Sequence, residues 1–300
     1  MPGGIHPPIE VILSWPVPNY DDPVTRPMVG TVLASIFGPI SLFLVFARLW
    51  VRIYMQRNPD WDDWAMLAAV VIRACGVTHL CTASDRFRFN RHVWDVEPHY
   101  YVKQRKLILA IETLFCIGAG LIKISILLFY RRLSSRAISN KFKWTTWFTI
   151  GFIAAYSIAF SLVPIFGCQP ISAFWDQINV TKQFDPNYKY KCFNEAADVV
   201  TANAISTAQD LLTAILPTFI YYHLQIPLRQ KIALGFIFAI AYGVVALGAM
   251  RLYYTWQIFY GTYDVTWVGW ELWIWTLLEI HVGVMCANAP ALKAFFKHYF

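Results

Sequence analysis

Six of the ionisable side chains within long apolar stretches of this sequence could act as acids, bases or ion-pair partners inside a helix bundle. The acids are Glu112, Asp210 and Glu279, and the bases are Arg73, Lys123 and Arg251. A charge inside a bilayer is costly unless it faces protein, water or a ligand, so these side chains must point into a helix bundle. Two interpretations stay open. The groups form ion pairs that fix the helices, or they build a pocket in which the three acids are candidate catalytic groups that supply or take a proton.

The apolar segment over residues 107–130 carries two of these groups. Glu112 and Lys123 are eleven residues apart, which closes about three helical turns and places both side chains on one face. Cys116 and Ala119 lie between them on that face, and small residues there allow another helix to approach closely. The pattern predicts that this segment is a central helix of the bundle.

A polar stripe marks a later apolar stretch. Its members recur every three to four residues and so share one helix face: Asn203, Ser206, Thr207, Asp210 and Thr213. Such a face either packs against polar groups of other helices or lines a hydrated or ligand-filled cavity, and both alternatives stay open. Asn203 and Thr207 therefore join Arg73, Lys123 and Arg251 as candidates for ligand binding or ion pairing.

The composition places these residues in a membrane protein. Hydrophobic residues make up 57% of the chain and charged residues 14%, which excludes a soluble globular class. The apolar stretches cover residues 29–51, 64–82, 107–130, 144–166, 196–222, 232–254 and 267–291. A membrane helix needs about 20 residues. We predict an all-α membrane protein, a seven-transmembrane helix bundle, with a short lumenal arm (residues 1–28), one domain (29–292) and a short cytoplasmic tail (293–300).

The positive charge of the chain follows the expected membrane topology. The formal net charge is +7, and its basic residues gather after the first, third, fifth and seventh stretches. By the positive-inside rule, these loops are cytoplasmic and the N-terminus is lumenal or extracellular. The charge is thus no signal for nucleic acid. The expected partner is the lipid bilayer, in a multi-pass protein of the endoplasmic reticulum or plasma membrane.

Two cysteines agree with that topology. Cys168 and Cys192 fall in the predicted lumenal loop between the fourth and fifth stretches, where oxidation is permitted. We predict a disulfide between them, the alternative being two free thiols. Asn179 begins an Asn-Val-Thr glycosylation sequence in the same loop.

Three further charged sites carry predictions about partners. Asp62 and Asp63 open the second stretch, where carboxylates cap a helix start; a lock to basic residues of the cytoplasmic face is the alternative. Arg73 lies too deep to reach water and needs an acid partner. Arg251 is expected to pair with an acid of the lumenal rim. The polar loop over residues 84–105 is predicted to form a structured lid.

Short motifs in a fixed order carry a family resemblance. They are Asp62-Asp63-Trp64, Lys123-Ile124-Ser125-Ile126-Leu127, Phe129-Tyr130-Arg131-Arg132, Cys168-Gln169-Pro170 with Trp175, Cys192, Asp210, Pro217, Lys231, Arg251-Leu252, Glu279 and Pro290. Over about residues 28–295, the chain resembles the fungal rhodopsin-like-domain integral membrane proteins, which include satratoxin-cluster membrane proteins and Pth-type receptor-like proteins. The resemblance implies a seven-helix fold, a filamentous fungus, and either a secondary-metabolite gene cluster or a receptor-like role.

Two departures from the family qualify what the resemblance implies. The seventh stretch has no lysine in its core, since Lys293 lies beyond Pro290, so no retinal Schiff base and no other cofactor are expected. Receptor-like members often carry a lumenal Cys-rich module or a long cytoplasmic tail, and this sequence shows neither. The sequence also has no metal-ligand spacing, nucleophile elbow or phosphate-binding loop.

Three functions remain in competition at the level of sequence. The first is a membrane protein of a metabolite pathway that binds a hydrophobic intermediate, alone or beside pathway enzymes, and catalyses its cyclisation or isomerisation through Glu112, Asp210 or Glu279. The second is a G-protein-coupled-receptor-type sensor of an extracellular small molecule or surface cue. The third is a transporter, for which seven spans without internal repeats are a poor match.

Overall fold

The structure, a computed structural model, describes residues 5–73, 87–133, 140–179, 182, 188–223 and 228–299. Its long helices are α2 (Val29–Trp50), α3 (Trp61–Arg73), α4 (Pro98–Leu133), α5 (Asn140–Phe166), α7 (Glu195–His223), α8 (Leu228–Trp256) and α9 (Val265–Tyr299). Two short helices, α1 (Ile9–Ser14) and α6 (Ala173–Asp176), lie outside this bundle. The described chain is thus mostly helical, as predicted.

Six of the described helical segments are long and apolar enough to cross a membrane. They are Val29–Met55, Pro98–Arg132, Asn140–Phe166, Glu195–Thr218, Leu234–Gly261 and Val265–Ala289. Helix α3 covers the beginning of the other predicted span, residues 64–82, but the remainder of that span lies outside the described residues. The described chain therefore supports a multi-helix membrane protein with six candidate spans.

Helix α4 is the centre of the bundle. It packs against α3, α5, α7 and α9, while α9 also contacts α2 and α8. The contact with α5 is close at Gly120, where an added Cβ would overlap the Ser157 side chain. The central position predicted for this helix is confirmed. Its start at Pro98 lies well before the apolar stretch, so its first turns are polar; Gln104 is buried there, while His99, Lys103 and Lys106 are exposed.

The loop between α5 and α7 is held by the predicted disulfide. Cys168 and Cys192 are bonded, and they pair across two short antiparallel strands, β1 (Cys168–Gln169) and β2 (Lys191–Cys192). Both cysteines are buried with Phe174 of α6. We call this part of the bundle the disulfide end. Of the glycosylation sequence only Asn179 lies among the described residues, so that site stays a prediction.

Two polar segments cover the disulfide end. In the N-terminal arm, the backbone N–H of Arg26 donates to the backbone carbonyl of Asn90 at 2.7 Å. The backbone N–H of Asn19 donates to Asp95 Oδ1 at 2.9 Å. The His92 ring stacks on Trp267 of α9, with 3.9 Å between ring centroids. The predicted lid over residues 84–105 is described from residue 87 onward. It is a folded loop only to residue 97, because Pro98, which suits a helix start, begins α4.

Candidate functional site

A cavity of about 520 Å³ lies at the disulfide end. The N-terminal arm, the loop over residues 87–97 and helices α4, α5, α7, α8 and α9 all contribute to its wall. Its volume falls within the range of about 300–1,000 Å³ that is typical of small-molecule sites. The arrangement provides room for an organic ligand among these seven structural segments.

Nine aromatic side chains contribute to the wall of this cavity. They are Trp15, Phe89, Tyr101, Phe115, Tyr156, Phe160, Phe259, Tyr263 and Trp273. Aromatic rings offer large apolar contact areas, and their faces also attract cations. The Tyr156 hydroxyl is engaged with the Ala202 carbonyl at 2.6 Å, so it ties α5 to α7 at the cavity wall.

A group of charged residues lies on the wall formed by α4 and α7. The Arg105 guanidinium makes a two-pronged contact with Glu195, with Nη1–Oε1 and Nη2–Oε2 distances of 2.7 and 2.6 Å. Glu112 and Asp198 also line the cavity there. Among the described residues, neither of these carboxyl groups forms an ion pair. The predicted site residue Glu112 thus faces the cavity.

Arg251 contributes the deepest charged group of the cavity wall. Its Nε donates to Glu279 Oε2 at 2.6 Å, its Nη2 donates to Oε1 at 3.2 Å, and its Nη1 donates to Asn203 Oδ1. The guanidinium also lies over the Phe115 ring, 4.6 Å from its centroid. The predicted partner of Arg251, an acid of the lumenal rim, is wrong. Glu279 of α9 faces Arg251 of α8 inside the bundle, where it accepts hydrogen bonds from the guanidinium and balances its charge.

Lys123 and Asp210 form a second ion pair, between α4 and α7. The Lys123 Nζ lies 3.1 Å from Asp210 Oδ2, and it donates to the Ser206 carbonyl at 2.8 Å and to the Ser206 hydroxyl at 3.0 Å. The side chains of this pair, together with Glu279, line a small space of about 50 Å³. Such a volume accommodates a few water molecules rather than an organic ligand.

Other predicted site residues have a packing role or are not placed. The Asn203 amide nitrogen donates to Thr255 at 3.0 Å, which adds to its contact with Arg251. Thr207 donates to the Asn203 carbonyl at 2.9 Å and lies beside Gly248, where helices α7 and α8 meet closely. Arg73 is the last residue of α3, and its side chain lies outside the described residues, as does the segment with Cys75 and Cys81.

The opposite end of the bundle, which we call the basic end, centres on Arg48. The Arg48 side chain is fully buried and donates from Nε to Asp63 Oδ1 at 2.8 Å and from Nη2 to Asp62 Oδ2 at 2.6 Å. Its Nη1 donates to the Ala287 carbonyl of α9 at 3.0 Å. Arg132 lies 3.5 Å from Asp62 Oδ1. Helices α2, α3, α4 and α9 therefore meet at one network.

This network bears on both interpretations of Asp62 and Asp63. Each carboxylate turns inward to Arg48, so the lock to basic residues describes the contacts of both. Asp63 also caps the helix start as predicted, because its Oδ2 accepts a hydrogen bond from the Asp60 backbone amide at 3.3 Å. At Asp62 the contact with the buried guanidinium takes the place of a cap, since a charge buried as deeply as that of Arg48 needs carboxylates beside it.

Sequence reasoning missed Arg105, Glu195 and Asp198. Arg105 and Glu195 lie just before predicted apolar stretches, so they were counted with the loops, although α4 and α7 already include them. Asp198 lies near the start of the stretch over residues 196–222 and was not singled out there. For Glu195 and Asp198, the sequence signal that could have revealed them is their negative charge. Both lie in the first turn of a helix, where carboxylates are favoured. The pairing of Glu195 with Arg105 could not be obtained from either segment alone.

Comparison with known proteins identifies the family. The profile of the fungal rhodopsin domain matches residues 47–298. Similar proteins include a receptor, GIN3, from Arthrobotrys oligospora (26% identical, over 89% of this chain and 62% of the receptor) and a membrane protein of the SAT4 family from Emericella nidulans (27%, over 85% of this chain and 59% of that protein). Another is the polyenoic acids biosynthesis gene cluster protein Ba17b from Metarhizium anisopliae (24%, over 85% of this chain and 70% of that protein).

The fraction of each protein that is aligned determines which conclusions these similarities support. The chain spans less than two thirds of the length of the receptor and of the SAT4 family protein. No solved structure matches the chain. The family profile covers most of the chain, and the apolar helices agree with the membrane-protein relatives. The chain is therefore an integral membrane protein that belongs to the fungal rhodopsin domain family, as the motif order predicts.

Proposed function

We propose that this protein binds a lipophilic small molecule in the cavity at its disulfide end and acts as a receptor-like sensor of that molecule. The observation that carries the proposal is the cavity of about 520 Å³, walled by aromatic rings and reaching the buried Arg251. A site of this kind combines apolar contact area with a few polar groups that fix the orientation of a ligand.

The proposed topology has seven spans with the disulfide end on the lumenal or extracellular side. The buried disulfide supports this orientation, since disulfides persist in oxidising compartments. Arg48, Arg52 and Arg132 at the opposite end support a cytoplasmic face there. Glycosylation at Asn179 tests the orientation, because treatment with an endoglycosidase would then increase the gel mobility of the protein but not of an Asn179→Gln variant.

Helix α9 offers a route from the cavity to the basic end. Glu279 of α9 binds Arg251 at the cavity, and two turns later the Ala287 carbonyl accepts the hydrogen bond from Arg48. A ligand that contacts Arg251 would change the contact with Glu279 and thereby favour a different position of α9. This continuity favours a sensing role, and the name of the similar receptor agrees with it.

A second candidate function is conversion of the bound molecule in a secondary-metabolite pathway. Glu112 favours it, because its carboxyl group faces the aromatic cavity without an ion-pair partner among the described residues and could supply or take a proton during cyclisation or isomerisation. Asp210 and Glu279 are instead engaged by Lys123 and Arg251. The name of the similar biosynthesis-cluster protein agrees with a pathway role.

A pair of glycine substitutions tests binding. Gly269 lines the cavity, and an added Cβ would meet only ordinary contacts, so Gly269→Leu fills the space without a clash at the first atom. Gly151 is exposed on α5 with nothing near its added Cβ, so Gly151→Leu is the matched control. Proteins purified from fungal membranes would be extracted with solvent, and the released small molecules compared by mass spectrometry.

The proposal expects one class of small molecule to accompany the native protein and the Gly151→Leu variant but to be depleted about tenfold with Gly269→Leu. Equal amounts in all three samples would contradict binding in this cavity. Incubation of the recovered molecule with the protein separates the two functions. An unchanged molecule agrees with sensing, whereas an isomer that forms with the native protein but not with Glu112→Gln agrees with conversion.

A further inference from the structure

We propose that the molecule bound in the cavity carries a protonated amine, which lies between Glu112 and Asp198; this inference rests on the proposed binding function. The cavity supplies the site, and its charges and rings define the chemical class of the occupant. The wall contains cationic groups, carboxyl groups and aromatic rings.

The cationic groups of the wall are already committed to protein partners. Arg105 directs both terminal nitrogens to Glu195, and Nε lies 3.4 Å from the Phe174 carbonyl. Arg251 uses its three nitrogens on Glu279 and Asn203. The positive charge of each guanidinium is thus already compensated by a carboxylate of the protein, Glu195 for Arg105 and Glu279 for Arg251, which disfavours a second anion from a ligand.

Among the described residues of the wall, the remaining basic group is His6 of the N-terminal arm. Burial lowers the pKa of His6, and the nearby Arg105 guanidinium lowers it further. An imidazole with a pKa below its usual value of about 6.5 is neutral at pH 7. His6 therefore adds no positive charge that would hold an acidic ligand.

The carboxyl groups of the wall outnumber the cations that face them. Glu112 lies within electrostatic range of Glu195, Asp198 and Arg105, so three carboxyl groups surround one guanidinium. Arg105 is bonded to Glu195, which leaves Glu112 and Asp198 without a cationic partner among the described residues. A ligand ammonium group would supply the missing positive charge and donate charge-assisted hydrogen bonds to both.

The aromatic rings add a second attraction for a cation. Phe115 is one helical turn after Glu112 on α4, and Tyr156 and Phe160 of α5 border the same cavity. Phe115 already has the Arg251 guanidinium over its ring, which shows that a cation occupies this environment. A lipophilic amine fits these features jointly, because its charge meets carboxyl groups and ring faces while its apolar body fills the remaining volume.

Three fluorescent probes that share one dansyl group test the inference. Dansylcadaverine carries an amine, 6-(dansylamino)hexanoic acid carries a carboxylate, and N-pentyl dansylamide is neutral. Each would be titrated into the full-length protein in lipid nanodiscs, with empty nanodiscs as background. The variants are the double change Glu112→Gln with Asp198→Asn, the cavity-filling Gly269→Leu, and Glu97→Gln, whose carboxylate contacts Arg88 and does not line the cavity.

The inference expects dansylcadaverine to bind about tenfold more tightly than the other two probes, and the double variant, but not Glu97→Gln, to remove that preference. Similar affinities for the three probes, a preference for the acid, or an amine preference that survives in the double variant would overturn it. In those cases, weaker binding of every probe to Gly269→Leu would leave the proposed binding function intact. Failure of all three probes to bind above background would count against both proposals.

Discussion

The two ends of the bundle use buried charge in different ways. At the basic end, Arg48 is fully buried, and Asp62, Asp63 and the Ala287 carbonyl accept its hydrogen bonds. At the disulfide end, the carboxyl groups of Glu112 and Asp198 border a cavity of about 520 Å³. One end has a buried guanidinium paired with carboxylates, and the other has carboxyl groups without an ion-pair partner among the described residues, beside open volume.

This difference distinguishes charges that stabilise the fold from charges that could bind a ligand. A fully paired and hydrogen-bonded buried ion fixes helix positions, and removal of either partner leaves the other uncompensated. A carboxyl group that borders a cavity without a cationic partner contributes little to packing. Mutation of a charge of the first type should strongly lower the stability of the protein. Mutation of a charge of the second type should mainly weaken ligand binding.

Arg48→Met is expected to have the largest effect on stability. The change leaves Asp62 and Asp63 buried without their main partner and removes the hydrogen bond to α9, so the free energy of unfolding should fall by about 4–5 kcal/mol. Steric trapping in bicelles measures that quantity. Lys141→Met is the control, since Lys141 is exposed on α5; a loss of the same size there would show that any lost cation is harmful.

The Lys123–Asp210 pair should give an intermediate effect that a second substitution reverses. Asp210→Leu leaves the Lys123 ammonium buried and should lower the free energy of unfolding by about 3 kcal/mol. The double variant Lys123→Met with Asp210→Leu removes both charges and should lie within about 1 kcal/mol of the native protein. Additive losses in the double variant would mean that the two residues act independently.

Glu112→Gln should have the smallest effect on stability. No ion pair is lost among the described residues, and the carboxyl group is replaced by an amide of nearly the same shape, so the free energy of unfolding should change by less than about 1 kcal/mol. The same steric-trapping assay measures it beside Asp210→Leu. A loss comparable to that of Asp210→Leu would place Glu112 among the structural charges and remove the contrast between the two ends.

The sequence was sufficient for features that follow from helix periodicity and topology. The spacing of Glu112 and Lys123 predicted a central helix, and α4 is that helix. The placement of Cys168 and Cys192 in one lumenal loop predicted their disulfide, which is formed. Each inference concerns two residues of the same segment, a helix in the first case and a loop in the second. Within a single segment, the sequence separation is enough to predict which groups share a face or a loop.

Ion pairs between residues of distant segments could not be predicted in this way. The partner of Arg251 depends on the rotation of α9 against α8, which brings Glu279 rather than a residue of the rim to the guanidinium. The role of Asp62 depends on the burial of Arg48 in another helix. Arg105 was missed because the apolar stretch begins at residue 107, whereas the helix already begins at Pro98.

The most direct test of the contrast between the two ends is a cryo-electron microscopy map of the protein purified from fungal membranes, with an antibody fragment bound to increase its size. We predict compact non-protein density at the disulfide end, bordered by Glu112, Phe115 and Trp273, and continuous protein packing around Arg48. A cavity closed by its own side chains, or filled only by acyl chains continuous with the bilayer, would contradict a small-molecule site.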